Sequence, residues 1–330
     1  MDRLVDRNGR ISWGIYEEPV GEVNFLDYDL RTEMGRKIPL FRKRAMANQF
    51  HFTGLMGPEF IAGLAVVDLK YLANGFMYLY NRQTKEIMEA GDLSLLSSEA
   101  SIAAFPDTPL SRYTSRKLAI EMTGERVTAT AKDMQLSLRL DLGGTRPLRI
   151  CTRAGYTGWV YTQKTSPVKV SGSITCKGRS LDVSSPSFMA LIDWTCGYMR
   201  RKTCWNWAAT AFTLPDGRSL GMNLSCGVNE TSFTENAFWV DGSMTKVDTV
   251  NFVFDKGDLY NPWHVASFDG KVDLAFIPER SRGEKINAGF IASRFTQLVG
   301  VFDGSLKTDT GETIQVKGCP GFTEDHYAKW

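Results

Sequence analysis

At 330 residues, 43% of them hydrophobic and 23% charged, the chain is long enough for one large folded domain or two of medium size. A net charge of +2 excludes the strongly basic surface of a dedicated nucleic-acid binder. No stretch reaches the roughly 20 uninterrupted apolar residues of a membrane span, and the opening "MDRLVDRNGRISWG" lacks the apolar core of a secretory signal.

A cytoplasmic setting is therefore expected. The six cysteines show no C-x-x-C spacing and no metal-like pairing with the three histidines, so they are read as reduced thiols and no metal is expected. Without a signal, the glycosylation sequons at Asn223 and Asn229 carry no weight.

Taken in chain order, "RTEMGRKIPLFRKRAMANQF" (31–50) has room for a short helix. The basic runs 35–44 and 199–202 read as solvated faces. The alternative is weak contact with anionic lipid headgroups, with Leu40 and Phe41 lying between the charges. "SLLSSEASIAAF" (94–105) fits helix or strand equally. From there the pattern is β. Leu118, Ile120 and Met122 alternate with polar residues, and so do Leu136, Leu138, Leu140 and Leu142, as in half-buried antiparallel strands. Asp269-Gly270 marks a hairpin, and 295–316 supplies further strands. Strands at roughly ten-residue spacing predict an all-β sandwich or barrel.

A faint echo links 51–81 to 205–242, with Gly221 in the place of Gly63 and Asn236 in the place of Asn74. It predicts two related halves, 1–150 and 151–330, joined in the Gly-rich stretch 143–160, with the pocket in the second half.

No phosphate-binding Gly-rich loop, H-E-x-x-H or G-x-S-x-G is present, so no cofactor is expected. The unusual feature is polar residues set among aromatics. Trp205 and Trp207 share one strand face, as do Trp159 and Tyr161, and they either wall an apolar pocket or fill a core. Lys164 either caps that pocket or is a surface charge. In "SFTENAFWVDG" (232–242), period-two reading puts Glu235 on the face of Trp239, with Asn236 opposite. Glu235 has three readings: an ion pair with Arg200, Arg201 or another cation; a partner for backbone groups at a bulge; or a pocket acid of raised pKa. Asp193 sits beside Trp194. The tail "GFTEDHYAKW" brings His326, a residue suited to proton transfer, next to Glu324 and Asp325.

The segments "FHFTG", "NGFMYLYN", "GWVYTQK", "LIDWTCGYMRRKTCWNWAA", "SLGMNLSCGVNETSFTENAFWVDG", "FTQLVGVFDG" and "GFTEDHYAKW" follow one another in an order that resembles the bacterial domain of unknown function 2804 family. More remotely the chain resembles the lipocalin-like tandem-barrel group, which includes carotenoid hydratases, tocopherol cyclase and Diels–Alderases. That resemblance implies two lipocalin-like halves holding a lipid, isoprenoid or polyketide-like molecule in an aromatic-lined pocket.

The leading expectation is hydrophobic small-molecule binding, with cofactor-free hydration, isomerisation or cyclisation if the protein is an enzyme. Glu235, Asp193 and His326 would move protons. Trp205, Trp207, Trp239, Asn236, Trp159 and Tyr161 would line the site. A non-catalytic lipid carrier or sensor, and a carbohydrate-binding or carbohydrate-modifying sandwich, are the alternatives. Monomer and homodimer both remain open.

Overall fold

The computed structural model describes every residue except 96–97, 229–231 and 290, so the sequon at Asn229 lies outside the described residues. Two antiparallel sheets dominate the fold. The first begins with a four-strand meander, Asn48–Met56, Phe60–Asp68, Leu72–Asn81 and Glu86–Leu95. The second begins the same way, with Lys202–Thr213, Ser219–Cys226, Ala237–Val240 and Ser243–Lys246. In both, the strand that opens the meander pairs on its other side with the strand that closes the half. That closing strand is Met189–Tyr198 in the first sheet and Thr313–Lys329 in the second. The order agrees with the sequence echo: Gly63 lies opposite Tyr78 and Gly221 opposite Trp239, a small residue facing a large aromatic in each copy.

The sheets divide at 199–201, not in 143–160. Strand Gly158–Cys176 returns antiparallel onto Leu148–Ala154 and then pairs with Met134–Asp141 and Met189–Tyr198, so it lies inside the first sheet. The Gly-rich stretch is a tight hairpin, with Gly155 at φ +72° where a side chain would be strained. Glycine there signals a turn within a sheet rather than a passage between sheets.

Alternation builds a core inside each curled sheet. Leu118, Ile120, Met122, Leu136, Leu138 and Leu140 point into the first. Leu220, Met222, Trp263, Phe276 and Phe302 fill the second. Each sheet curls on itself; in the first, the Gln49 side chain donates to the Ile102 carbonyl at 3.1 Å. Leu142 departs from the expected alternation because the strand ends at Asp141. The ambiguous stretch 94–105 holds no helix among its described residues and contributes the strand Ala100–Ile102.

A third apolar layer lies where the outer faces of the two sheets meet. Phe52, Met189 and Leu191 come from the first sheet, and Trp207, Ala209, Ala211, Val299 and Phe322 from the second. The Phe52 ring lies edge-on, 5.6 Å from both Trp207 and Phe322. This seam positions the candidate site.

The expected short helix spans Leu40–Met46. Its Lys43 ammonium donates to the carbonyls of Leu26 and Tyr28 at 2.6 Å, while Leu40 and Phe41 are exposed. No helix among the described residues is long and apolar enough to cross a membrane.

Candidate functional site

Along Met189–Tyr198, residues 189, 191 and 193 share a face, so the strand that delivers Met189 and Leu191 to the seam delivers Asp193 as well. Lys164 is its partner across the ladder and reaches the Asp193 carboxylate at 2.6 Å. The same ammonium lies 3.6 Å from Glu235 and 5.7 Å from the centre of the Trp207 ring. All three charged side chains are over nine-tenths buried. Thr195 donates to Asp193 at 3.1 Å. Burial pushes the Asp193 carboxyl up; Lys164 offsets part of that rise and Glu235 adds to it. Burial works against the Lys164 charge, but the two carboxylates outweigh it and hold its pKa above the ordinary value.

Glu235 therefore pairs with a cation, and the cation is Lys164. Arg200 instead donates to the carbonyls of Gly227 and Val228, and Arg201 to that of Trp330. Lys164 is therefore not a surface charge. The strand expected through 233–240 begins only at Ala237, so Glu235 sits on the approach to it, where its carbonyl accepts from Asn223 at 2.8 Å. Asn236 is committed to the backbone at both ends: Ser225 N–H donates to its Oδ1 at 2.6 Å, and its Nδ2 donates to the Asp248 carbonyl at 3.0 Å. A second lysine, Lys246, donates to the carbonyls of Thr234 and Asn236, and burial lowers its pKa to about 8.

On the far side of Trp207 stands an acid that sequence reading named only as a neighbour of His326. Glu324 is the ladder partner of Trp207 and shares the seam face with Phe322. Its carboxylate accepts from Trp205 Nε1 at 3.2 Å and from Gln297 Nε2 at 2.7 Å. Burial pushes its pKa up to about 7; the two hydrogen bonds and Arg282 pull the other way, and Asp193 adds to the rise. Reading "GFTEDHY" with period two would have placed Phe322, Glu324 and His326 on one face, beside the Trp205 and Trp207 stripe.

His326 packs its ring 4.1 Å from Trp205 and 5.0 Å from Phe295, and its Nε2 meets Ser293 Oγ at 3.0 Å. Burial lowers its pKa to about 3, so the ring is neutral at pH 7. Trp330 stacks on Trp205 at 6.3 Å, so the tail is docked as part of a strand.

Gln297 is the ladder partner of Arg282. The Arg282 guanidinium lies 4.6, 4.7 and 5.2 Å from the ring centres of Phe76, Tyr78 and Phe295, and its Nε donates to Glu89 at 3.1 Å. Three buried polar atoms on these residues find no partner among the described residues: Arg282 Nη1, Tyr78 OH and Gln297 Oε1. Native interiors seldom leave such groups unpaired. A surface cleft of about 430 Å3 lies over the same strand pair, lined by Ser281 to Lys285 on one strand and by Arg294, Phe295 and Thr296 on the other, with neither Tyr78 nor Gln297 in its wall.

The seam thus gathers Asp193, Glu235, Trp205 and Trp207 from the expected set, with His326 at its edge and Asn236 held just behind Glu235. It does not gather the rest. Trp159 and Tyr161 are fully buried in the first core, and Trp239 packs with Leu148 and Ala237 while its Nε1 donates to the Arg146 carbonyl at 2.9 Å. These three rings pack away from the seam, in the first core and beside Leu148. Among the described residues, no group of three or more His, Cys, Asp or Glu is placed to hold a metal ion.

The sequence model of the domain of unknown function 2804 family matches residues 1–330. No curated protein matches the chain. Among solved structures, CghA with Sch210972 superposes with a TM-score of 0.55 at 8% identity, over 99% of this chain and 96% of that one. Kievitone hydratase from Nectria haematococca gives 0.49 at 9% identity, over 85% and 87%. At such identity the likeness to CghA establishes the fold, a lipocalin-like pair of curled sheets.

Proposed function

We propose that this chain, which belongs to the domain of unknown function 2804 family, binds a hydrophobic small molecule where the cleft beside Arg282 meets the seam, and exchanges a proton with it through Glu324. Glu324 carries the reading. A carboxyl with a pKa of about 7 is half-protonated at neutral pH, so it can both give and take a proton. Its surroundings are aromatic and buried, and unpartnered polar atoms on Arg282, Tyr78 and Gln297 cluster on its side of the seam. Asp193 and Glu235 already share the Lys164 ammonium, so their role is to set the field in which Glu324 titrates. His326, neutral and packed on Trp205, orients the ring that donates to Glu324. Hydration, double-bond isomerisation and acid-initiated cyclisation all need a proton delivered to or taken from an apolar skeleton, and none requires a cofactor.

Native mass spectrometry of the protein purified from its host should reveal an apolar ligand. Time courses with that ligand should show conversion by the wild type, slowed about 10²- to 10⁴-fold in Glu324→Gln with the fold intact. A ligand that stays bound and unchanged would make the protein a carrier. The absence of any apolar ligand would overturn the reading.

A further inference from the structure

The unpartnered atoms beside the cleft specify more than a hydrophobic ligand. Arg282 is 92% buried, and three aromatic rings and Glu89 hold its guanidinium in place. Glu89 occupies Nε; Nη1 is buried and finds no acceptor among the described residues. The Tyr78 hydroxyl, on the ring 4.7 Å from that guanidinium, also finds none. Burial drives the Tyr78 pKa up, so the phenol stays a donor. Two donors on adjoining side chains, fixed by packing and facing no protein acceptor, match a group that offers two acceptor oxygens.

We infer that the ligand is an amphiphile with a carboxylate head, whose two oxygens accept from Arg282 Nη1 and the Tyr78 hydroxyl while its apolar tail lies along Phe76, Phe295 and the seam. The inference rests on the proposed seam site and adds the head group to it. A planar guanidinium is the side chain best shaped for a carboxylate. Lys285 and Arg294 line the same cleft, but the strand alternation puts their side chains on the other face of the sheet from Arg282, so they add no charge to this head group. Opposing charges are also present: Glu284 lines the cleft, Glu89 holds Arg282 Nε, and Asp325 pairs with Arg294 at 3.3 Å. Glu89 and Asp325 are thereby already engaged with arginines, and burial raises the pKa of Glu284 while Arg282 lowers it. The head group would sit on the cleft side of Gln297, leaving the tail to pass Glu324.

The test is titration of the full-length protein with dodecanoate, dodecan-1-ol and dodecylamine below their aggregation thresholds. Trp fluorescence and calorimetry provide the readouts. Dodecanoate should bind at least tenfold more tightly than the alcohol, about the value of one charge-assisted hydrogen bond, and the amine most weakly. Arg282→Gln should bring the acid and the alcohol to equal affinity while alcohol binding persists. Tyr78→Phe keeps the ring and removes only the hydroxyl. It should weaken dodecanoate several-fold, and it serves if Arg282→Gln does not fold. Equal binding of acid and alcohol by the wild type would overturn the carboxylate head and leave the seam site standing. Failure of all three probes, in a protein that carries no apolar ligand by native mass spectrometry, would overturn both.

Discussion

Lys164 is one ammonium serving two carboxylates inside a buried seam, an arrangement more expensive to break than to replace. Lys164→Met would leave Asp193 and Glu235 facing each other without their shared cation, and should cost about 3–5 kcal/mol in urea unfolding. Adding Asp193→Asn to that background should recover part of the loss, because the remaining charge no longer meets a like one. A loss under about 1 kcal/mol would show that water or another cation replaces Lys164. Glu324 makes the seam sensitive to pH in the opposite direction from the histidines. Its folded pKa, about 7, lies above the ordinary 4.5. Its contribution is complete below pH 4.5 and is lost as pH rises through 7, by roughly 3 kcal/mol in all. His51 and His326 titrate near 3 in the folded state against 6.5 ordinarily, so their contribution is present above 6.5 and lost as pH falls toward 3. Thermal melts from pH 4 to 8 should therefore show Glu324→Gln gaining on the wild type as pH rises. Parallel profiles would mean that Glu324 stays ionised throughout.

Strands are where sequence reading is strongest, because alternation is local. The inward sets Leu118, Ile120, Met122 and Leu136, Leu138, Leu140, and the shared faces of Trp205 with Trp207 and of Trp159 with Tyr161, are all present. What alternation does not carry is the identity of the layer each face meets. Trp159 and Tyr161 face the first core and Trp205 and Trp207 face the seam, although both stretches look alike in sequence. The same non-locality hid Glu324, whose burial depends on the opposing sheet, and misplaced the junction between the halves. Gly221 shows how close the two sheets come. A Cβ there would lie 2.2 Å from the Ser166 carbonyl carbon and 2.3 Å from Pro167 N, backbone atoms of the first sheet. Gly221→Ala should destabilise by about 1–3 kcal/mol or more through overpacking. Gly144→Ala, where a Cβ meets nothing within 4 Å, is the matched control. Equal melting temperatures for the two variants would mean that the strands move apart freely at that crossing.

At the scale of the whole molecule, the seam is a third core built from both sheets, and it contains the acids. The same contacts that hold the halves together therefore hold the candidate site in shape. Phe52 is the centre of that contact: it comes from the first strand of one meander and packs edge-on against Trp207, from the first strand of the other, and against Phe322. Phe52→Ala should cost about 3–5 kcal/mol, the range for a large buried ring. Because the ring belongs to neither interior core, the loss should reach both sheets. Hydrogen exchange followed by mass spectrometry can read 118–141 in the first sheet and 263–306 in the second separately. If the seam couples them, both segments should lose protection together and by similar amounts in Phe52→Ala, since each opens only when the shared layer opens. Loss confined to 118–141 would mean that the second sheet stands on its own core. The acids at the seam would then lie at a loose contact between two independently stable sheets.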